Sequence, residues 1–164
     1  MAETIYNIND LVNGDDLLLY LMGEGDTENK VIAYATSCSI QVDAETIDVS
    51  SKFSPVWANN LNGRASYTIS ADALYCSIKE GQKGISFNEL LQYMLKRKAV
   101  KWVVGRQIVG DDFVPDAQHA LDTAQPYYTG DAIVTSVSLE AGNNEIASCS
   151  ITLTGAGAID VKNA

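Results

Sequence analysis

The chain has 164 residues, 46% of them hydrophobic and 20% charged, so it can bury one domain-sized core and does not have the composition of a disordered chain. Eleven Lys and Arg stand against 21 Asp and Glu, a formal net charge of −10, which excludes a module that grips nucleic acid through clustered cations but not one that lets it pass without sticking. No apolar run approaches the roughly 18–20 residues of a membrane span, and residues 1–13 carry neither the basic nor the apolar stretch of a secretory signal, so no membrane partner is expected.

Residues 1–16 mix Asn, Asp and Gly with isolated apolar side chains (Ile5, Ile8, Leu11, Val12), the pattern of an N-terminal arm. Leu17, Leu18, Leu19, Tyr20, Leu21 and Met22 form a short apolar run bounded by Gly and Asp, which favours a buried strand over a helix. Gly23, Glu24, Gly25 and Asp26 then supply a hairpin loop. Over residues 30–43 the period is two. Ile32, Tyr34, Thr36, Cys38, Ile40 and Val42 share one face, and Val31, Ala33, Ala35, Ser37, Ser39 and Gln41 the other. Residues 44–64 read as a long irregular loop with Ser50, Ser51, Pro55, Asn59 and Asn60, yet Phe53, Val56, Trp57 and Leu61 lie in it. Loops beyond about 12–15 residues are uncommon in compact domains. Apolar side chains in one point either to a partner surface or to a loop pinned on its own core.

Residues 65–75 alternate again, with Ala65, Tyr67, Ile69, Ala71, Ala73 and Tyr75 against Ser66, Thr68, Ser70 and Asp72. Ser86, Phe87, Asn88 and Glu89 spell a capping box. Behind it Phe87, Leu90, Leu91, Met94 and Leu95 make one apolar helical stripe, and Lys96, Arg97 and Lys98 suit the dipole of its last turn. A strand follows from Val100 and can run to Val109, and then an acidic stretch, 111–127, with Pro115, His119 and Pro126. Ile133, Thr135, Val137 and Leu139 oppose Val134, Ser136, Ser138 and Glu140. After a turn at Ala141, Gly142, Asn143 and Asn144, a last strand sets Ala147, Cys149, Ile151 and Leu153 against Ile146, Ser148, Ser150, Thr152 and Thr154. Residues 155–164 form a tail. The fold class is therefore mainly β, one antiparallel domain with a single helix and long arms.

Chemistry is poorly supplied. Cys38, Cys76 and Cys149 lack metal-like spacing and suit small buried positions, and His119 is the lone histidine. The carboxylates Asp111, Asp112, Asp15, Asp16 and Asp72 are candidates for acid/base work by number alone, as are Asp116 and Asp122 beside His119. Gly81, Gln82, Lys83 and Gly84 match no phosphate loop. No catalytic residue, metal ligand or cofactor is assigned. The strands carry more information, because their polar faces are rich in Ser and Thr and poor in Lys and Arg. Such a face is either an ordinary solvated sheet surface or the wall of a water-filled passage that repels phosphate.

The run Ile32, Ala33, Tyr34, Ala35, Thr36, Ser37, Cys38, Ser39 and Ile40 resembles the long strand of phage major tail (tail tube) proteins. So do the segment from Ala44 through Glu45, Thr46, Ile47, Asp48, Val49, Ser50 and Ser51 to Lys52, then Trp57, Leu61 and Gly63, and the strand of Ser66, Tyr67, Thr68, Ile69, Ser70, Ala71 and Asp72. The opening Gly14, Asp15, Asp16, Leu17, Leu18, Leu19 and Tyr20 is similar as well, and the order of later elements agrees. The resemblance implies an antiparallel β-sandwich or barrel-like domain with one flanking helix. Six copies would close a ring around a shared inner β-barrel, and rings would stack into a virion tail tube, made in the host cytoplasm, through which DNA passes. It further implies tail tip or baseplate, tape-measure and terminator proteins as partners.

On that pattern Ser66, Thr68, Ser70, Asp72, Ser136, Ser138 and Glu140 are the expected lumen-facing residues. Phe53, Val56, Trp57 and Leu61 anchor the expected ring-stacking loop. Two other functions fit the same residues: a tube subunit of a contractile injection or secretion apparatus, and a stand-alone lectin-like binding module.

Overall fold

The computed structural model describes residues 11–23, 30–32, 35–53, 56–76, 84–108 and 121–163. A 3-10 turn, Gly14–Asp16, leads into β1 (Leu17–Met22), followed by β2 (Lys30–Val31), β3 (Ala35–Asp48) and β4 (Asn60–Leu74). Then come α1 (Phe87–Lys96), β5 (Ala99–Arg106), β6 (Tyr127–Glu140), β7 (Ser148–Gly155) and β8 (Asp160–Lys162). All the strands belong to one sheet in the order β2-β1-β5-β6-β7-β4-β3, with β8 on β6 beyond the end of β7, and every pairing is antiparallel. The two end strands, β2 and β3, are not paired to each other, so the sheet is not a closed barrel.

One face of this sheet builds the core. Leu19 and Leu21 of β1, Tyr67, Ile69, Ala71 and Ala73 of β4, Trp102 of β5, Val134 of β6, and Ile151 and Leu153 of β7 converge on Ile32, Ile85 and Leu90. Burying each large side chain stabilises the fold by about 1.5–3 kcal/mol. The expected alternation in β4 is observed, with Tyr67, Ile69, Ala71 and Ala73 buried and Ser66, Ser70 and Asp72 exposed.

Several expectations need correction, and the long strand expected over 30–43 is one of them, since it divides into β2 on β1 and β3, from Ala35, on β4. The segment 44–64 is not a loop throughout, because β3 runs on to Asp48 and β4 begins at Asn60, pairing Ile47 with Leu61 and Asp48 with Asn60. Alternation is absent there because both faces are in solvent and no core selects one. In β6 a bulge between Val134 and Ser136 reverses the alternation, so Val134 faces the core and Ile133 is exposed, while Val137 beyond the bulge packs inward. On α1 the stripe is carried by Phe87, Leu90, Tyr93 and Met94, and Leu95 is 69% exposed, since the helix ends where the packing does. Ser86 caps the helix through its backbone, accepting from the Leu90 N–H, and makes no side-chain cap bond. The tail 155–164 holds the last residue of β7 and all of β8, which pairs with Tyr127, Tyr128 and Thr129.

Between β5 and β6, Gln107 bridges to Leu121, and β5 stops at Arg106 rather than Val109. The expectations for residues 1–10, Tyr34, Pro55, Asp111, Asp112, Pro115, Asp116 and His119 fall outside the described residues. So do those for Gly81, Gln82 and Lys83. Among the described residues no helix is long and apolar enough to cross a membrane.

Candidate assembly surfaces

The core takes one face of β3, β4, β7 and the C-terminal half of β6, which leaves the other face of these four strands in solvent. Cross-strand register lines its side chains into rows. Ser37, Asp72, Ser150 and Ser138 form one row, and Ser39, Ser70, Thr152 and Ser136 the next. Gln41, Thr68 and Thr154 continue it, with Ser66 opposite Asp43 on the hairpin side and Glu140 opposite Ser148 at the other end. The structure therefore brings all seven sequence-predicted wall residues, Ser66, Thr68, Ser70, Asp72, Ser136, Ser138 and Glu140, onto one surface. Ser37, Ser39, Ser150 and Thr152 complete it. Their alternation was visible in the sequence, but only the fold shows that they lie between the others.

Hydroxyls and carboxylates dominate these rows, and no Lys or Arg enters them. Asp72 ties three strands together, accepting from Ser150 Oγ at 2.6 Å and from Ser37 Oγ at 2.9 Å. Those two bonds, the Ser150 one first, hold its carboxyl below the usual carboxylate range. Thr36 Oγ1 donates to the Asp72 carbonyl, and Thr135, the bulged residue of β6, donates to the Thr152 carbonyl at 3.2 Å. The face is thus held in place by its own polar groups and presents acceptors and hydroxyls to water.

Both sides of this four-strand unit end in unpaired strand edges among the described residues. β3 pairs only with β4, and β6 beyond Ile133 has lost its β5 neighbour and keeps only β7. Three antiparallel pairings separate β3 from β6, so the two edges run in opposite directions. Exposed edges of this length are templates for pairing with another chain.

A second feature grows from the first. β4 has β7 beside it only from Thr68 to Leu74 and Tyr67 is still in the core, so Asn60 to Ser66 and their β3 partners project as a two-stranded arm of about 23 Å. Its tip is closed by the Val49 N–H on the Asn59 carbonyl, by Ser50 Oγ accepting from the Asn59 N–H, and by Asp48 accepting from the Ser50 N–H at 2.8 Å. Bonds from Ser50 lower the Asp48 carboxyl pKa. Phe53, Val56 and Trp57 are 97%, 100% and 82% exposed at the tip, and Leu61 is 58% exposed along the arm. Pinning on the chain's own core is therefore not their role.

Among the described residues nothing gathers the remaining chemical candidates, Asp15, Asp16, Asp72 and Asp122, into a reactive site. Among the described residues no group of three or more His, Cys, Asp or Glu is placed to hold a metal ion. Asp15 and Asp16 are separate from Asp72, lying in the exposed or half-exposed 3-10 turn before β1. Burial pushes the thiols of Cys38, Cys76 and Cys149 up, away from the reactive thiolate.

Comparison with known proteins adds a family and a fold. A family model described as phage tail tube protein matches residues 11–161. Among solved structures, the chain is similar to one from the tail of an empty gene transfer agent particle refined with C6 symmetry. That match has 24% identity and a TM-score of 0.68, covering 92% of this chain and 98% of the other. It is also similar to a chain of the native gene transfer agent virion, at 22% identity and a TM-score of 0.67 over 93% and 99%. The SPP1 tail tube matches at 10% identity with a TM-score of 0.67, over 93% and 79%. No curated protein is similar enough in sequence to count as a match.

Proposed function

The chain belongs to the phage tail tube protein family, and from that premise we propose how this structural subunit of the virion tail builds its tube. Six copies close into a ring, the β3 edge of each pairing antiparallel with the β6 edge of the next. The number six is supported by the C6 symmetry of the similar gene transfer agent tail. Four strands from each of six subunits at about 4.8 Å spacing give a barrel perimeter of about 115 Å before strand tilt widens it. The hydroxyl-rich face then lines the bore, and rings stack through the projecting arm, a head-to-tail contact that generates a filament.

The observation that carries this reading is the coincidence, among the described residues, of two unpaired edges with a polar face that holds no Lys or Arg where the four strands run side by side, from Thr68 to Leu74 of β4. Closing the ring removes both edges. A polyanion such as DNA meets no Lys or Arg there to pair with, so it gains nothing from counterion release and slides. Tail tip, baseplate, tape-measure and terminator proteins are the further partners this role calls for at the ends and interior of the tube.

Electron microscopy of the purified protein in negative stain, beside size-exclusion chromatography at several concentrations, tests the proposal. Six-fold rings or stacked tubes with an open bore are the expected result. A chain that stays a monomer or small closed oligomer and binds glycans would overturn it in favour of the lectin-like module.

A further inference from the structure

The arm's apolar tip needs an acceptor, and the far end of the same four strands offers one. Tyr75 follows the last residue of β4, Leu139 is the penultimate residue of β6, and Ile146 precedes β7, so all three lie at the end opposite the tip. β4 alone has 15 residues, which places the two ends about 45 Å apart along the strands. Ala73 and Cys149 form the last cross-strand pair of the core, and Leu139 of β6 stands beside Cys149 at its margin. Below that pair the core opens to solvent. Leu139 is 46% exposed, Ile146 74%, and Tyr75 39% although its ring meets Phe87 edge-to-face at 6.1 Å. The Tyr75 N–H on the Ala147 carbonyl fixes Tyr75 beside the turn that carries Ile146.

Resting on the tube reading above, we propose that this mouth is the docking site for the arm tip of a second copy in the adjacent ring. Charge favours that occupant over others. The tip carries the exposed Lys52, while its one acidic neighbour, Asp48, is engaged by Ser50. The mouth is flanked by the exposed carboxylates Glu140 and Glu145. Seating Phe53, Val56 or Trp57 against Tyr75, Leu139 and Ile146 therefore brings Lys52 toward an acidic rim. Tip and mouth are different surfaces at opposite ends of one subunit, so each docking event leaves one of each unoccupied, and the contact propagates without closing. An apolar anchor entering a desolvated pocket with charges at its rim is the arrangement that concentrates binding energy.

The test is disulfide trapping with Val56→Cys and Ile146→Cys in one chain, with Cys76→Ser removing the nearest native thiol. Under mild oxidation the double variant should give a ladder of covalent oligomers that reduction collapses, and neither single variant should. A disulfide requires Cα atoms within about 7 Å, so the ladder reports docking and not mere proximity. Tubes that assemble normally but give no ladder would overturn the mouth as acceptor while leaving the tube reading intact. Dimers of the Val56→Cys single variant would show tip-to-tip contact and overturn the head-to-tail arrangement. Failure of the unmodified chain to form rings or tubes overturns the tube reading, and this inference with it.

Discussion

Tyr67 and Tyr20 are both buried, and their hydroxyls have opposite fates. Tyr67 Oη donates to the Asp131 carbonyl at 2.5 Å and accepts from Trp102 Nε1 at 3.2 Å, so it links β4 to β5 and β6. Its ring lies edge-on to Trp102 with centroids 5.5 Å apart, and a Cβ at Gly155 would run into it, which is why that end of β7 carries glycine. Tyr20 Oη is buried with no hydrogen-bond partner among the described residues, and burial pushes its pKa up to about 12. Tyr67→Phe strands the Trp102 N–H and should destabilise the fold by about 1–3 kcal/mol, whereas Tyr20→Phe should be neutral or stabilising. Urea denaturation, with the midpoint moving and the slope constant, separates the two. Asp72 gives a pH signature. Its folded-state pKa is depressed by Ser150 and Ser37, so its contribution is complete above the ordinary Asp value of about 3.9 and is lost as pH falls through the lower folded value. Asp72→Asn should therefore flatten the acid limb of the stability curve below about pH 4, leaving its shape at neutral pH unchanged. The effect is small because the carboxylate faces solvent. A variant whose acid limb matches that of the unmodified chain would show that the two serine bonds do not persist in solution.

At the scale of elements, α1 shows what its sequence could and could not say. The apolar spacing from Phe87 announced the helix, and Leu90 is the residue it buries completely. Leu95 shares that spacing but is exposed, so Leu90→Ala should cost about 2–5 kcal/mol and Leu95→Ala only a few tenths. Arg97 closes the helix in the left-handed region at φ 54°, with its N–H on the Met94 carbonyl. That conformation costs a side-chain-bearing residue about 1 kcal/mol. Arg97→Gly should accordingly raise the thermal midpoint slightly, and a lowered midpoint would mean that the Arg97 side chain contributes more than its backbone costs. The strands were legible where a core enforced the period of two, as in β4 from Tyr67 to Ala73. They were not legible in two places. One extra residue at Thr135 flips β6 between faces, and no composition marks a bulge. Along the arm, with water on both sides, the paired strands of 44–48 and 60–64 kept Asp, Asn and Gly that read as loop.

For the whole molecule the question is which parts serve the fold and which serve assembly. The wall residues were legible as polar rows, but their placement on a single face between two unpaired edges depends on the sheet order β6-β7-β4-β3, which no local pattern encodes. The arm was legible as an anomaly, apolar side chains in polar surroundings, without its length or direction. Because Phe53, Val56 and Trp57 stand in solvent, deleting residues 51–60 should leave the thermal midpoint nearly unchanged while abolishing stacking; tubes formed by the deletion variant would sink the arm's assignment. Charge on the bore can be tested separately. Ser70→Lys with Ser136→Lys puts two cations into one row, on β4 and β6 with Thr152 of β7 between them, and in a six-subunit ring they repeat around the whole perimeter. Each exposed lysine is easily hydrated on this solvent-facing surface, so folding and tube formation should persist. What should change is affinity for a polyanion. The unmodified tube should not retain DNA, and the variant should retain it in a salt-dependent way, with log affinity falling linearly against log salt as counterions are released. The steepness of that line counts the phosphates contacted. A variant tube that retains no more DNA than the unmodified one would overturn the assignment of these serines to a surface that DNA meets, and with it this face as the wall of the passage.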